Sequence, residues 1–486
     1  MAVSDDVCGV SLAERAERGR AARKVRPRVS IADFTPAADR VDPVQQLAAQ
    51  EVSRVPALLP LRHERMSADA FAFLRGAATI MAADLGAQPN SGLNVQLCGD
   101  AHLSNFGLFA SPDRRVVFDL NDFDETNRGP FEWDVQRLAT SFVLGAREAG
   151  HPVEVCQTLP EIVARSYRDS MKFFAAQGDL DTWYYRVDTD RMMSWAGQGG
   201  EVKIQERAVR RTTKVARGRD RWSAVRKLTH IDEHRRRFND NPPLLVSIPM
   251  DDEAATVLRT LFDGYRSSLL PDRAELLSRY EVVDFGHKVV GVGSVGMLAF
   301  VILLQGRDEE DMLVLQAKEA TTSVLEPFSG AAEFSPHGRR VVVGQQLMQA
   351  TSDAFLGWVN GQRGRSFYIR QLRDMKWGPN PFAMTVDNYK GYAAICGHAL
   401  ARAHARSGDA VALSAYLGES IKFDVAVARF ASTYAEQSDR DYARYLSAIK
   451  DGEVAVVAQE GEEIRPKVSV HADGAVTVSL AGENQS

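Results

Sequence analysis

The spacing of apolar positions divides the chain into a helical, a β-rich and a second helical zone. Residues 12–28 are basic, end at Pro27 and predict a frayed helical arm, after which Pro36, Pro43, Pro56 and Pro60 cut the chain into turns and short helices. Phe71, Leu74, Ala78, Met81 and Leu85 recur at helical spacing, which predicts one helix with Ser67 as N-cap and Gly86 as its stop. Leu93 to Cys98 alternates as a strand, and Val116 to Phe118 predicts a second after a turn at 111–114. Residues 130–185 carry helical faces built on Trp133, Val135, Leu138, Phe142 and Leu144. Past the break at Pro242-Pro243, another helix is predicted from Asp251 to Leu270.

After Pro271 the period changes. Val282 to Phe285, Lys288 to Val290, Met297 to Leu304, Met312 to Ala317, Val341 to Val343 and Phe367 to Ile369 predict a β-rich block over 280–372, with a helix from Gly344 to Trp358 inside it. Helical pattern returns from Asp387 to about Lys450. Val468 to His471 and Ala475 to Val478 flank Asp473-Gly474, a pattern that favours a terminal hairpin.

Composition narrows the function classes. The 59 Lys and Arg against 64 Asp and Glu give a net charge of −5, which argues against a dedicated nucleic-acid coat. The longest apolar run, Val295 to Leu304, is about half of what a membrane-spanning helix needs. Asp5 and Asp6 stand where a cleaved secretion signal would be basic and then apolar, so a cytoplasmic chain is expected. Cys8, Cys98, Cys156 and Cys396 lie too far apart for a zinc or redox pair and are expected to be reduced and mostly buried.

The densest chemistry lies at two strand ends. Cys98-Gly-Asp100-Ala-His102-Leu-Ser-Asn105 is followed by Val116-Val-Phe-Asp119-Leu-Asn-Asp122-Phe-Asp124. Hard oxygen donors grouped on loops suit Mg²⁺ carrying phosphate. Asp100 is then free to orient an acceptor hydroxyl and take its proton, while Asn105 and Asp119 or Asp122 hold metal. Asp119 directly follows the apolar strand, whereas Asp122 stands at the better distance before Asp134, and the balance leans slightly to Asp119.

These residues resemble the catalytic and metal segments of the aminoglycoside and choline kinase branch of the protein-kinase-like superfamily, where a Gly-Asp-x-His-x-x-Asn loop precedes an Asp-Phe-Asp-like segment. Gly129-Pro-Phe-Glu-Trp-Asp134-Val-Gln-Arg137-Leu resembles the buried aspartate segment that follows in those kinases. Cys98 departs from the pattern by replacing the usual histidine before Gly-Asp. A nearer resemblance, over nearly the whole chain, is to a bacterial family known as domain of unknown function 2252. It rests on segments such as Phe71-Ala-Phe-Leu-Arg-Gly76 and Arg370-Gln-Leu-Arg-Asp374-Met-Lys376, and supplies no activity. The kinase resemblance implies catalytic roles for Asp100 and His102, metal roles for Asn105, Asp119, Asp122 and Asp124, and structural support from Asp134 and Arg137.

Gly291-Val-Gly293-Ser294-Val-Gly296 matches G-x-G-x-x-G, a motif shared by dinucleotide-binding domains and kinases. The apolar run that follows ends in a turn at Gln305-Gly306, and the next predicted strand carries Lys318 near its end, as a kinase would require. Glu310 and Asp311 keep a nicotinamide-dependent oxidoreductase open, but they precede that strand instead of ending it. Lys318 resembles the phosphate-pairing lysine, with Glu319, Glu326 and Glu333 as candidate acidic partners, and Phe367 to Leu372 resembles the linker whose backbone, at Gln371 and Leu372, holds adenine.

The catalytic segments precede the glycine loop, the reverse of an ordinary kinase, and circular permutation reconciles the two orders. The expectation is an α+β, protein-kinase-like two-lobe fold in permuted order. Its parts are an arm and helices over 1–92, the catalytic loop and first part of the helical lobe over 93–275, a nucleotide lobe over 276–376, the second part of the helical lobe over 377–455 and a tail or hairpin over 456–486. The expected activity is ATP- and Mg²⁺-dependent phosphotransfer to a hydroxyl of a small-molecule acceptor. A nucleotide-binding pseudokinase and a protein kinase or nucleotidyltransferase of the same fold are the alternatives. Thirteen Lys and Arg against four acids between Val202 and Phe238 form a basic stretch that suits a solvated face or an anionic ligand. With Trp222 as its main aromatic residue it gives stacking on nucleic-acid bases little support. His398 and His404 lack the spacing of paired metal ligands and are expected to be buried and hydrogen-bonded.

Overall fold

The computed structural model describes residues 8–196, 205–233, 235–249, 252–289, 291–372, 375–457, 466–471 and 476–480. Four short strands frame the first chemical segment. β1 (Asn94–Leu97) pairs antiparallel with a partner at Asn127–Pro130. Between them β2 (Phe106–Ala110) and β3 (Val116–Leu120) make a hairpin, extended by the two-residue strand Val187–Asp188. With that partner as β4 and the two-residue strand as β5, every loop carrying Asp100 to Asp124 starts or ends on a paired strand.

Helices Glu132–Glu148, Val153–Ala175, Val386–Ala405 and Lys422–Lys450 enclose these strands in one apolar core. Its members include Leu97, Phe106, Phe118, Leu138, Tyr167, Leu400 and Phe430, drawn from both ends of the chain. Gly397 allows helix Val386–Ala405 to lie directly on Val153–Ala175, since a Cβ there would stand 2.5 Å from the Val163 carbonyl oxygen. The two helical zones of the sequence are therefore one packed body.

The middle of the chain supplies a small hairpin, β6 (Thr229–Asp232) with β7 (Arg235–Phe238), and a six-stranded antiparallel sheet. The sheet contains β8 (Leu245–Ser247), β9 (Glu281–Lys288), β10 (Ala299–Gln305), β11 (Met312–Glu319), β12 (Gly357–Asn360) and β13 (Ser366–Gln371), in the spatial order β12-β13-β11-β10-β9-β8. β11 is buried along its whole length because both faces of the sheet are covered, which explains its unbroken apolar reading. On the outer face Leu313, Leu315 and Ala317 join Phe285, Ile302 and Ile369. The hairpin of β14 (Pro466–Val470) with β15 (Val476–Leu480) adds Val468 to that core. On the inner face Met312 and Val314 join Val301, Leu303 and Leu372 beneath helix Arg221–Leu228. By strand alternation Lys318 shares this inner face.

Several expectations give way to packing. Val341 to Val343 is no strand but part of helix His337–Met348, because a short apolar run between helix-compatible flanks reads alike in either state. That helix stops at Met348, and Trp358 lies on β12. The single helix expected from Ser67 is interrupted at Ala77, whose φ of −115° and ψ of 40° leave the helical region. Two helices result, Ala70–Gly76 and Ala78–Gly86, and Asp69, not Ser67, caps the first by accepting from the Ala72 N–H at 2.6 Å. The arm is docked and not frayed: helix Leu12–Val25 opens on a capping box between Ser11 and Glu14 and is pinned by an Arg15–Asp409 pair at 2.9 Å. The strand expected from Met297 starts at Ala299. Asp5, Asp6, Val290, Lys203, Arg373, Asp374 and the Asp473-Gly474 turn lie outside the described residues. Among the described residues no helix is long and apolar enough to cross a membrane.

Candidate functional site

The loop after β1 is held by its neighbours from both sides. Gly99 adopts a φ of +82°, and a Cβ there would stand 2.2 Å from the Glu125 carbonyl oxygen, so only glycine lets this loop meet the 122–125 segment. Asp134, buried in the first turn of helix Glu132–Glu148, accepts from the N–H of Cys98 at 2.8 Å and of Gly99 at 3.1 Å. His404 stands 3.3 Å from the same carboxylate and 2.8 Å from the Tyr167 hydroxyl, a buried hydrogen-bonded histidine. Arg137 donates to the Asp100 carboxylate at 2.6 Å, and the other Asp100 oxygen lies 3.7 Å from His102 Nε2. Burial, then the charges of Arg75 and Arg137, hold His102 well below its usual pKa, hence neutral. Asn105 donates to the Asp100 carbonyl at 2.6 Å, which fixes the amide beside the carboxylate five residues before it.

The segment after β3 sends its carboxylates in two directions. Asp119 turns into the core, where it pairs with buried Arg402 and accepts from the N–H groups of Leu120 at 2.9 Å and Ala350 at 3.1 Å. The lean toward Asp119 as main metal ligand is therefore corrected: its oxygens are committed to Arg402 and to backbone. Asp122 and Asp124 instead line one small cleft with Asp100, His102 and Asn105. Burial and the adjacent Asp124 charge raise the Asp122 pKa. Burial acts on Asp124 in the same sense, but Lys318 and the hydrogen bonds it receives outweigh this and hold it below the ordinary value.

The Lys318 ammonium closes on Asp124 and stands 3.8 Å from Asp122, while the Tyr368 hydroxyl donates to the other Asp124 oxygen at 2.7 Å. None of the acids weighed from sequence is its partner. Glu319 accepts from Arg365 at 2.7 Å and Leu298 N–H at 3.1 Å, Glu326 accepts from Ser323 N–H at 3.1 Å, and Glu333 is exposed.

Across the cleft, Gly291, Gly293 and Ser294 line the same space, and the Ser294 hydroxyl donates to Asp124 at 3.3 Å. Gly291 and Gly296, at the two ends of the loop, have φ of +68° and +89°. The loop joins antiparallel neighbours, β9 and β10, with no helix after it, whereas a dinucleotide fold passes from strand through glycines into a helix N-terminus. Asp311 is occupied with the Tyr280 hydroxyl at 3.1 Å and with Arg221 at 3.4 Å, at the turn before β11.

Sequence reasoning missed the arginines that clasp this loop. Arg54 donates to the Val295 carbonyl at 2.6 Å, Arg62 to that of Gly293 at 3.0 Å and Arg65 to that of Gly291 at 2.6 Å. Arg54, Arg75 and Glu125 also line the cleft. Burial pushes the Glu125 carboxyl up to about 7. No spacing rule links residues 54–75 to a loop over two hundred positions later; only the fold brings them together.

Gln371 and Leu372 lie elsewhere. The Gln371 N–H is taken by Asp353 and the Leu372 N–H by the Val314 carbonyl at 3.0 Å, which extends β13 along β11. Both residues line a separate cavity of about 190 Å³. A larger cavity, about 640 Å³, lies between helix Glu206–Arg217 and residues 377–395; it takes Arg207, Arg211 and Arg219 from the basic stretch and none of Asp100, His102, Asn105, Asp122, Asp124 or Lys318. Chemistry, not volume, selects the smaller cleft. Among the described residues no three His, Cys, Asp or Glu side chains form a ready metal cage. Two carboxylates, Asp122 and Asp124, and the Asn105 amide do fit Mg²⁺, which binds through one or two carboxylates plus substrate phosphates and keeps several waters.

A family model described as an uncharacterized protein conserved in bacteria, DUF2252, matches residues 54–448, so the chain belongs to that family. No curated protein and no solved structure matches it.

Proposed function

We propose that this DUF2252 member is an ATP- and Mg²⁺-dependent phosphotransferase that acts on a hydroxyl of a small-molecule acceptor, in a permuted, protein-kinase-like arrangement. One observation carries the reading: Asp100, Asn105, Asp122 and Asp124 meet Gly291, Gly293 and Ser294 in one cleft, with Lys318 closing on Asp124. A glycine loop between two antiparallel strands, a lysine on the next strand and then a helix are the parts that grip a nucleotide in that superfamily. Both flanking helical zones share one core, which supports a larger lobe built from the two ends of the chain.

The roles follow from the donors. Asp122, Asp124 and Asn105 would hold Mg²⁺, which when bound neutralises charge on the transferring phosphoryl group. Asp100, oriented by Arg137 and kept apart from the Lys318 pair, is placed to accept the proton of the acceptor hydroxyl. Neutral His102 packs beside it and supports its position. Lys318 must pass from Asp124 to phosphate as the nucleotide enters.

The test is a thermal-shift panel of ATP, GTP, ADP and AMP with and without Mg²⁺, followed by transfer of labelled γ-phosphate to pooled small-molecule hydroxyl acceptors. A Mg²⁺-dependent shift with triphosphates, and label on an acceptor that is lost in Asp100→Asn, is expected. No shift with any nucleotide would remove the proposal.

A further inference from the structure

Counted group by group, the charges of the cleft nearly balance, yet two of its arginines have no part in the proposed reaction. Arg137 neutralises Asp100, and Lys318 neutralises Asp124. Arg54 and Arg75 then remain. Arg54 is 9% exposed; one terminal nitrogen donates to the Val295 carbonyl, and its buried Nε has no hydrogen-bond partner among the described residues. Arg75 stands in the last turn of helix Ala70–Gly76, is in no ion pair among the described residues and also carries a buried, unpartnered Nε. Burial, with Arg62 beside it, pushes Arg54 down to about 9, which still leaves it charged at neutral pH. A buried guanidinium with unmade hydrogen bonds is costly unless a ligand completes it.

The geometry says which ligand. Both arginines flank the glycine loop: Arg54 holds the Val295 carbonyl, and the Arg75 carbonyl lies where a Cβ on Gly293 would come within 3.2 Å. Asp122 and Glu125 add an acidic wall to the same cleft and repel any bare anion, so a bound anion needs a divalent cation beside them. An anion with several oxygens, carried by a divalent cation, satisfies both walls at once, and planar N–H forks fit phosphoryl oxygens best.

We infer that Arg54 and Arg75 form a guanidinium clamp for the phosphoryl oxygens of the nucleotide's polyphosphate tail. The inference rests on the phosphotransferase reading and assigns to the N-terminal helices a share of the phosphate site that the glycine loop and Lys318 do not fill.

Calorimetry on the full chain tests it, with ATP, ADP, AMP and inorganic tripolyphosphate as probes in Mg²⁺. Arg75→Gln should weaken ATP and tripolyphosphate about 10–100-fold while AMP changes little, since the lost donors meet only the outer phosphates. Arg75→Lys should recover part of the loss, keeping charge without the fork. Arg54→Gln is read beside its ligand-free melting temperature, because it also releases the Val295 carbonyl. The exposed Lys172→Gln serves as control and should bind like the parent. An unchanged ratio of ATP to AMP affinity in folded Arg75→Gln overturns the clamp and leaves the phosphotransferase reading standing. Equal weakening of all four probes assigns Arg75 to the fold and overturns the clamp as well. Tripolyphosphate binding that depends on Arg75, with no nucleotide bound by the parent, keeps the clamp and removes the phosphotransferase reading. No probe bound by the parent removes both.

Discussion

Lys318 and Asp124 lie 194 positions apart and close into one ion pair beneath the glycine loop, with Asp122 as a second carboxylate 3.8 Å from the same ammonium. Burial opposes the charge on Lys318, but the two carboxylates hold its pKa well above the ordinary value. The pair joins the sheet to the segment after β3, and in the proposed reaction Mg²⁺ and phosphate would take its place.

Lys318→Ala should therefore do more than weaken a ligand. It removes the ammonium that pairs with Asp124 and faces Asp122 and leaves Arg370 as a weaker counter-charge to both, a loss of about 3–5 kcal/mol for a broken buried pair. Urea unfolding should show this loss in chelator, and millimolar Mg²⁺ should restore part of it in the variant while changing the parent less. Equal Mg²⁺ effects in both proteins would place the metal away from these carboxylates.

Asp100→Asn should fold with some loss of stability, because buried Arg137 loses its counter-charge, and should still bind MgATP, because the amide oxygen still accepts from Arg137. Turnover should fall about 10²–10⁴-fold through loss of the proton acceptor. Parental turnover would end the catalytic assignment, and a lower melting temperature with lost binding would make Asp100 a cap of its loop.

How far the sequence carries differs between the two segments. The 98–124 cluster was legible because neighbours in sequence are neighbours in the cleft: Asp100 and Asn105 share one loop, and Asp122 and Asp124 lie two apart. Asp119 was misread because strand alternation only says that residues 119 and 122 differ in direction; which one faces the core depends on Arg402, far along the chain. The glycine loop and Lys318 were legible from the order of turn, strand and lysine. Its clasp was not, since Arg54, Arg62 and Arg65 look like any basic helix face until the fold brings Val295, Gly293 and Gly291 onto them. The linker at Gln371 and Leu372 was read from resemblance, which carries no information on whether its N–H groups are already bonded.

Asp119→Asn and Asp122→Asn should separate stability from metal. The first leaves Arg402, 1% exposed, without its counter-charge and should cost about 3–5 kcal/mol with little effect on metal affinity in the folded fraction. The second removes a charge that burial and Asp124 already disfavour, so stability should hold or rise. Its Mn²⁺ and Mg²⁺ binding, followed by calorimetry with ATP present, should be lost. The reverse pattern would return the metal to Asp119.

His287 sets an acid limit on the sheet. It is fully buried on β9, packs edge-on to Phe300 with centroids 5.9 Å apart, and neither ring nitrogen has a hydrogen-bond partner among the described residues. Burial pushes its pKa from 6.5 down to about 4. The unfolded chain thus takes up this proton first as pH falls, so the stability held by neutral His287 is complete above about 6.5 and is lost between 6.5 and 4. His287→Phe should flatten that part of the urea-midpoint profile, by up to about 3 kcal/mol. Parallel profiles for parent and variant between pH 7.5 and 4.5 would exclude His287 as the source.

Lys318 shares the inner face of the sheet with Val301, Leu303, Val314 and Leu372, and Val225 and Leu228 of helix Arg221–Leu228 cover those apolar residues. This apolar surface continues from the Lys318 end of the cleft, where the proposed reading would seat the base of a nucleotide beside β13. It is closed, and the linker donors at Gln371 and Leu372 are spent on Asp353 and Val314. If the base enters there, it must displace the helix, and that apolar contact sets the cost. Hydrogen exchange read by mass spectrometry should then rise in peptides covering 221–238 when MgATP is added, and stay unchanged with tripolyphosphate, which has no base. Leu228→Ala removes part of the buried contact at a cost to stability of about 2–5 kcal/mol, and should tighten ATP more than tripolyphosphate. ATP binding with undisturbed exchange over 221–238, and equal affinity in Leu228→Ala, would put the base outside the inner face and make this helix a fixed part of the sheet's packing.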